Sequence, residues 1–208
     1  MLRISILKNF QISLMMSTKI YSEFSSKNLD EIAHRIKAGQ IIIYPTETVW
    51  AIGCISTNKN SVEKIYKIKK RPQNTPFINI IDTYININNY INNFEIFNLD
   101  ILKNKKKSYT VIYPNCKIKY DYLSNEDNEI AFRITPVKIL KKLIVKINAP
   151  LISTSANISG KPFAKTIDEI SPSIFNSVDV ILNFETLSTG KPSSIIKINN
   201  NQIEYLRR

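Results

Sequence analysis

A chain of 208 residues, 43% of them apolar, is long enough to bury roughly 70% of the surface its unfolded form exposes, so one domain can stand without disulfide or metal staples. Only Cys54 and Cys116 are present, far apart, which excludes a disulfide scaffold and a cysteine-based zinc site and fits a reducing compartment. The net charge of +12 favours a polyanionic partner, but isoleucine, asparagine and lysine recur throughout, and the coding bias of an AT-rich genome accounts for the charge equally well.

The first 26 residues carry Arg3, Lys8 and Lys19, no acid before Glu23 and several serines, which are traits of a transit peptide. The other reading is an upstream start codon, with initiation at Met15 or Met16. Residues 1–15 are therefore set apart as an extension and 16–208 taken as the domain. No run reaches the roughly 18 consecutive apolar residues of a membrane span, so the expectation is a cytoplasmic protein with no membrane segment.

Leu29, Ile32, Ala33 and Ile36 form one apolar helical stripe, with Asn28 or Asp30 as cap and Gly39 at the end. Ile41–Tyr44 reads as a strand buried on both faces and ended by Pro45, with Thr46, Glu47 and Thr48 just beyond it, where open α/β sheets hold ligands. A helix from about Ser61 turns Val62, Ile65 and Ile68 inward and runs into Lys67, Lys69, Lys70 and Arg71 before Pro72 stops it. Phe77–Ile81 is a strand, 82–107 a helix and a loop, and Val111–Tyr113 and Ile130–Ile134 two further strands. Lys138–Ile147 is an amphipathic helix, followed by a strand that leads into the hydroxyl-rich loop ISTSANISG at 152–160. A helix near Ile167–Phe175 and strands at Val178–Leu182 and Ser194–Ile198 complete an alternation that defines an α/β protein.

Each candidate functional group has a plain structural reading beside it. The basic turn Lys69-Lys70-Arg71 complements a helix dipole or clamps phosphate, Arg71 offering a planar fork and Lys69 a point charge. Ser155 and Asn157 either cap a helix beginning near Ile158 or donate to phosphate oxygens. Thr46 and Thr48 either close side-chain turns or face a ligand. Arg133, on an otherwise apolar strand, needs an anion, supplied by a protein acid or by a substrate. His34 is the sole histidine and sits among polar neighbours, so no serine–histidine or cysteine–histidine set can be assembled and no metal cluster is expected. Ser159-Gly160-Lys161-Pro162 and Thr189-Gly190-Lys191-Pro192 are not Walker loops, because proline follows the lysine and the upstream glycine is missing.

Taken together, GQIIIYPTETVWAIG, KKRPQNTPF, IAFRI, LISTSANISGKPFAKT, GKPSSIIKI and the terminal YLRR resemble, in this order from about Leu29 to Arg208, the threonylcarbamoyl-AMP synthases with the YrdC-like fold. The Lys-x-Arg and Ser-x-Asn pairs of that family appear as Lys69 with Arg71 and Ser155 with Asn157. The resemblance implies a single domain with a twisted mixed β-sheet and flanking helices around a central cavity. It implies an enzyme that joins L-threonine, bicarbonate and ATP, with Mg2+ carried by the nucleotide, into threonylcarbamoyl-AMP and pyrophosphate. A separate transferase complex downstream would then modify an adenosine beside the anticodon of ANN-decoding tRNAs.

By the same resemblance, Lys69 and Arg71 act catalytically on the ATP phosphates, Ser155, Asn157 and Arg207 complete the ATP site, and Thr46, Arg133, Ser153 and Ser193 hold threonine. Two family features are missing: the Trp-Pro-Gly-Pro-Leu-Thr stretch is replaced by Lys105-Lys106-Lys107-Ser108-Tyr109-Thr110, and the His-Pro after the arginine strand by Thr135-Pro136-Val137. The charge and the eroded central motif raise one rival, a non-catalytic double-stranded RNA or tRNA-binding protein of the same fold. A carbamoyl-adenylate enzyme of hydrogenase maturation is disfavoured by the absence of zinc-finger cysteines and the short length.

Overall fold

Ile41 and the first three residues of the second strand, Ile42 to Tyr44, are all solvent-excluded, and they divide between two hydrophobic clusters, Ile41 and Ile43 in one, Ile42 and Tyr44 in the other. That division is the signature of a strand covered on both faces, since neighbouring side chains point opposite ways. The computed structural model describes residues 18–92, 108–186, 188–199 and 202–207. Within these the strands are β1 (Lys19–Tyr21), β2 (Ile42–Pro45), β3 (Trp50–Gly53), β4 (Ile78–Ile81) and β5 (Tyr109–Tyr113). They continue with β6 (Ile130–Ile134), β7 (Leu151–Ser155), β8 (Val180–Leu182), β9 (Ser194–Asn199) and β10 (Gln202–Arg207). The α-helices are α1 (Ser26–Lys37), α2 (Lys59–Lys69), α3 (Lys138–Ile147) and the single turn α4 (Pro172–Phe175).

The strands form one mixed sheet in the order β1-β8-β2-β3-β7-β4-β6-β5-β9-β10. Four pairs are parallel (β1 with β8, β8 with β2, β4 with β6, β5 with β9) and the other five antiparallel. Helices α1 and α3 pack on one face through Leu29, Ile32, Ile36, Leu140, Leu143 and Ile147. Helix α2 covers the other through Val62, Ile65 and Tyr66, with Ile174 of α4 beside it. Each such side chain contributes about 1.5–3 kcal/mol by leaving water, which is what fixes the helices to the sheet.

Several elements fall where the sequence puts them: β6 and α3 match residue for residue, and Gly39 follows the end of α1 with φ +84°, a conformation that glycine adopts without strain. The cap of α1 is Ser25, whose hydroxyl accepts from the Asn28 amide, rather than Asn28 or Asp30. Helix α2 stops at Lys69 because Lys70 turns left-handed (φ 52°), before Pro72 is reached. The expected helix at 167–175 is two short pieces, a 3-10 turn at Ile167–Glu169 and α4, separated by extended backbone at Ile170.

The N-terminal piece is not wholly outside the fold, since Lys19–Tyr21 pairs in parallel with Val180–Leu182. Residues 1–15, and most of the helix and loop expected over 82–107, lie outside the described residues, of which Tyr84–Asn89 forms a 3-10 helix. Lys105 to Lys107 of the altered central motif also lie outside them, as does the terminal Arg208.

Candidate active site

Ser153, Thr154 and Ser155 belong to strand β7 itself and not to a loop after it. A serine-rich run is a weak strand former, but β7 is hydrogen-bonded on both sides, Ala51 opposite Ser155 and Ile78 opposite Ser153, and that pairing overrides local preference. The period of two puts Ser153 and Ser155 on one face. The chain then turns, with no helix starting near Ile158, and the Ala156 amide donates to Trp50 O at 2.8 Å, tying the turn to β3.

Lys69, at the end of α2 and 1% exposed, reaches under this turn. Its ammonium donates to Ser155 O at 2.5 Å, to Asn157 O at 2.7 Å and to Asn157 Oδ1 at 3.3 Å. All three of its protons are thus engaged, and the Ser159 amide returns a bond to Lys69 O at 3.0 Å. The Ser155 hydroxyl also donates to Asn157 Oδ1, at 2.6 Å, and the Asn157 amide nitrogen donates to Lys161 O. Burial, aided by the neighbouring Arg71 cation, lowers the Lys69 ammonium from 10.5 to about 8.

Arg71, two residues on, bends back on its own loop, with Nε donating to Thr75 O at 3.0 Å and Nη2 to Pro76 O at 3.2 Å, and its guanidinium lies 5.1 Å from the Phe77 ring. The Lys-x-Arg and Ser-x-Asn pairs, some 86 residues apart in the chain, are therefore neighbours, with Lys69 the physical link.

A second group surrounds the turn between β2 and β3. The Thr46 hydroxyl accepts from the amides of Thr48 (3.1 Å) and Val49 (3.2 Å), so the plain reading of Thr46 as a turn-former holds in this structure. The Thr48 hydroxyl is 2.9 Å from that of Thr46 and 3.4 Å from Nη1 of Arg133. Arg133, on β6 beside Ile80 of β4, has its anion in the protein: Nε lies 3.2 Å from Oε1 of Glu47. Ser153 faces the buried Tyr44 phenol, whose ionisation burial pushes far up, and whose hydroxyl donates to Ile152 O at 2.9 Å.

The third group lies at the other end of the sheet. The Ser193 hydroxyl is 2.8 Å from that of Thr110, and Ser193 O accepts from Nε of Arg207 at 2.9 Å. Burial lowers the Arg207 guanidinium pKa, and repulsion from the nearby Arg133 cation adds to it.

Sequence reasoning missed the strap formed by residues 183–186 and 188–190. Thr186 and Ser188 hydroxyls donate to Thr46 O (2.9 Å) and Thr48 O (2.5 Å), and the Thr189 amide donates to Glu47 O (2.9 Å), so three consecutive carbonyls of the β2–β3 turn are held by this segment. Between turn and strap lies a cavity of about 580 Å³, lined among others by Thr46, Trp50, Lys165, Phe184, Glu185 and Thr186. Its one sequence signal is the threonine- and serine-rich stretch before Gly190, which is too common a composition to single out. At Gly53, the end of β3 away from the turn, a Cβ would sit 2.0 Å from Ile152 O, so β3 and β7 approach as closely as they do because this residue has no side chain.

Among the described residues, no three histidine, cysteine or carboxylate side chains are grouped to hold a metal ion, and no helix is long and apolar enough to cross a membrane.

Comparison with known proteins extends the geometry. The Sua5/YciO/YrdC family model, described as "Telomere recombination", matches residues 34–208. A threonylcarbamoyl-AMP synthase of Vibrio campbellii is 30% identical over 180 residues, covering 85% of this chain and 97% of that protein. P. abyssi Sua5 complexed with L-threonine has the same fold, with a TM-score of 0.80 at 22% identity over 91% of this chain, which spans 56% of that longer one. E. coli YciO superposes with a TM-score of 0.74 at 21% identity, covering 92% of this chain and 93% of its own. The match over most of its length places the chain in the Sua5/YciO/YrdC family.

Proposed function

We propose that the chain is a nucleotidyltransferase that makes L-threonylcarbamoyl-AMP and pyrophosphate from L-threonine, bicarbonate and ATP, for threonylcarbamoyl modification of adenosine 37 in ANN-decoding tRNAs. The observation that carries this reading is the single assembly of Lys69, Ser155 and Asn157 in a chain that matches named threonylcarbamoyl-AMP synthases over nearly their whole length.

The chemistry suits the residues. The neutral threonine amine attacks the carbon of bicarbonate, forming the C–N bond while a C–O bond breaks and water leaves with the amine proton, and an oxygen of the resulting carbamate attacks the α-phosphate as pyrophosphate leaves. Reactants and leaving group are all anionic, so the protein's task is alignment and charge neutralisation. Arg71 meets the phosphates as a donor. Lys69 supplies a fixed positive charge and braces the turn that presents Ser155 and Asn157 to the nucleotide. Arg133 binds the threonine carboxylate through its Nη atoms, of which Nη1 lies 3.4 Å from the Thr48 hydroxyl while Nε faces Glu47. Ser153 and Ser193 line the threonine end, and Arg207 closes over the nucleotide. Mg2+ arrives on the ATP phosphates, held by their oxygens and by water. Cytoplasmic location, direct contact with tRNA and hand-over of the product to a transferase complex complete the reading.

The test is pyrophosphate release from ATP by the full chain, with threonine or bicarbonate omitted in turn and serine substituted for threonine. Release that needs both co-substrates is the expected result. Release independent of threonine, or tight binding of double-stranded RNA or tRNA with no turnover, refutes the reading in favour of another adenylate chemistry or of a binding protein.

A further inference from the structure

Three atoms of one ion pair stand out among the described residues as buried and without a hydrogen bond: Oε1 and Oε2 of Glu47 and Nε of Arg133. Glu47 is 7% exposed and Arg133 5%. They meet at 3.2 Å, yet the contact is too poorly aligned to count as a hydrogen bond, so two buried charges face each other with most of their bonding capacity unspent. Such an arrangement is costly, because desolvation of each charge is repaid only when geometry and additional hydrogen bonds are good. A purely structural pair would be expected to close its own bonds.

The unspent groups describe what would complete them. A carboxylate only accepts, so Glu47 calls for a donor, and a cationic one is strongest; a guanidinium only donates, so Arg133 calls for an anion. The contact with Glu47 is made by Nε, and among the described residues Nη1 reaches the Thr48 hydroxyl at 3.4 Å; the donors that these two contacts do not use suit a carboxylate. Arg207 adds a second positive charge within interaction range. An α-amino acid carries its carboxylate and its ammonium on one carbon. It can therefore straddle an arginine and a carboxylate that touch, giving each the opposite charge without separating the pair.

We propose that Glu47 holds the amino group of the substrate amino acid while Arg133 holds its carboxylate. This rests on the reading of the site as one for threonine and adds what that reading lacks, a group that fixes the nitrogen to be carboxylated and that rejects ligands without it. Glu47 acts here as a binding residue. Its carboxylate aims the amine, and on either side of it in the turn the Thr46 and Thr48 hydroxyls lie 2.9 Å apart, that of Thr48 3.4 Å from Arg133 Nη1.

Calorimetric titration of the full chain tests this with two probes, L-threonine and its amine-free counterpart, 2,3-dihydroxybutanoate. The wild-type chain should prefer threonine at least tenfold, about what one charge-assisted hydrogen bond contributes. In Glu47→Gln, threonine binding should weaken roughly ten- to a hundredfold, while binding of the amine-free probe and of ATP stays within about threefold, and Glu47→Asp should regain part of the preference. Equal binding of the two probes by the wild-type chain overturns the assignment whatever the variants do, so misfolding of a variant cannot protect it. A Glu47→Gln protein that melts cooperatively and keeps the wild-type preference overturns it too. Failure of the wild-type chain to bind threonine at all would instead refute the reading of the site, a result distinct from either.

Discussion

Replacing Lys69 by methionine opposes two terms whose sizes the structure sets. The ammonium is buried, and its fall from 10.5 to about 8 corresponds to roughly 3 kcal/mol of penalty on the charged form, which methionine would relieve. Against this stand three hydrogen bonds from a charged donor, to Ser155 O at 2.5 Å, Asn157 O at 2.7 Å and Asn157 Oδ1 at 3.3 Å. At about 1.5–3 kcal/mol each they sum to roughly 5–9 kcal/mol, and the Asn157 carbonyl would lose its lysine donor while Ser155 O kept only the Asn157 amide, at 2.8 Å. The bonds win, and Lys69→Met should lower stability by about 2–6 kcal/mol. For a domain near 200 residues this is a fall in Tm of roughly 4–24 °C, readable by calorimetry. Because the freed carbonyls release the 155–157 turn, ATP affinity should fall with it, by tenfold or more. A variant melting within about 2 °C of the wild type and binding ATP equally well would show that Lys69 neither braces the turn nor serves the nucleotide.

The same lysine sets a pH dependence. The unfolded chain keeps this proton up to about 10.5, whereas the native one releases it from about 8. In that window the unfolded state binds more protons, so this group's contribution to stability rises with pH while its native charge disappears. ATP affinity, measured by titration at several pH values, should therefore decline above pH 8, and a flat profile to pH 10 would remove Lys69 as the charge concerned. Arg71→Ala should cost ten- to a hundredfold in ATP affinity, from the loss of one charge-assisted contact, and an unchanged affinity would exclude Arg71 from the phosphate site. Gly53→Ala places a methyl 2.0 Å from Ile152 O and 3.0 Å from the Tyr44 ring, so denaturant unfolding should show a loss of about 3 kcal/mol or more; a loss below about 1 kcal/mol would mean that β3 and β7 separate easily.

Local sequence carried much of the fold. The stripe Leu140, Leu143, Ile144 and Ile147 announces α3 because helix periodicity is set within the element, and each of these residues is buried. Ile130–Ile134 likewise announces β6, apolar apart from the arginine. The motif pairs were also legible as candidates, since lysine, arginine, serine and asparagine at short spacing are unusual next to apolar runs.

Their partners were not. That Lys69 spends all three protons on the turn it was expected to share a ligand with follows from where α2 ends, at a left-handed Lys70 that no local rule demands. That Arg133 already faces an acid, and that the acid is Glu47, depends on β6 and the β2–β3 turn meeting across several strands of the sheet. Fold class, apolar faces and the residue types able to grip phosphate and carboxylate can be read from the chain, because they follow from local spacing and side-chain chemistry. Which charges meet, and which bonds remain open, is settled only once the sheet is assembled. Distances between segments 80 or more residues apart are products of sheet order and register, to which every strand contributes and which no single stretch encodes.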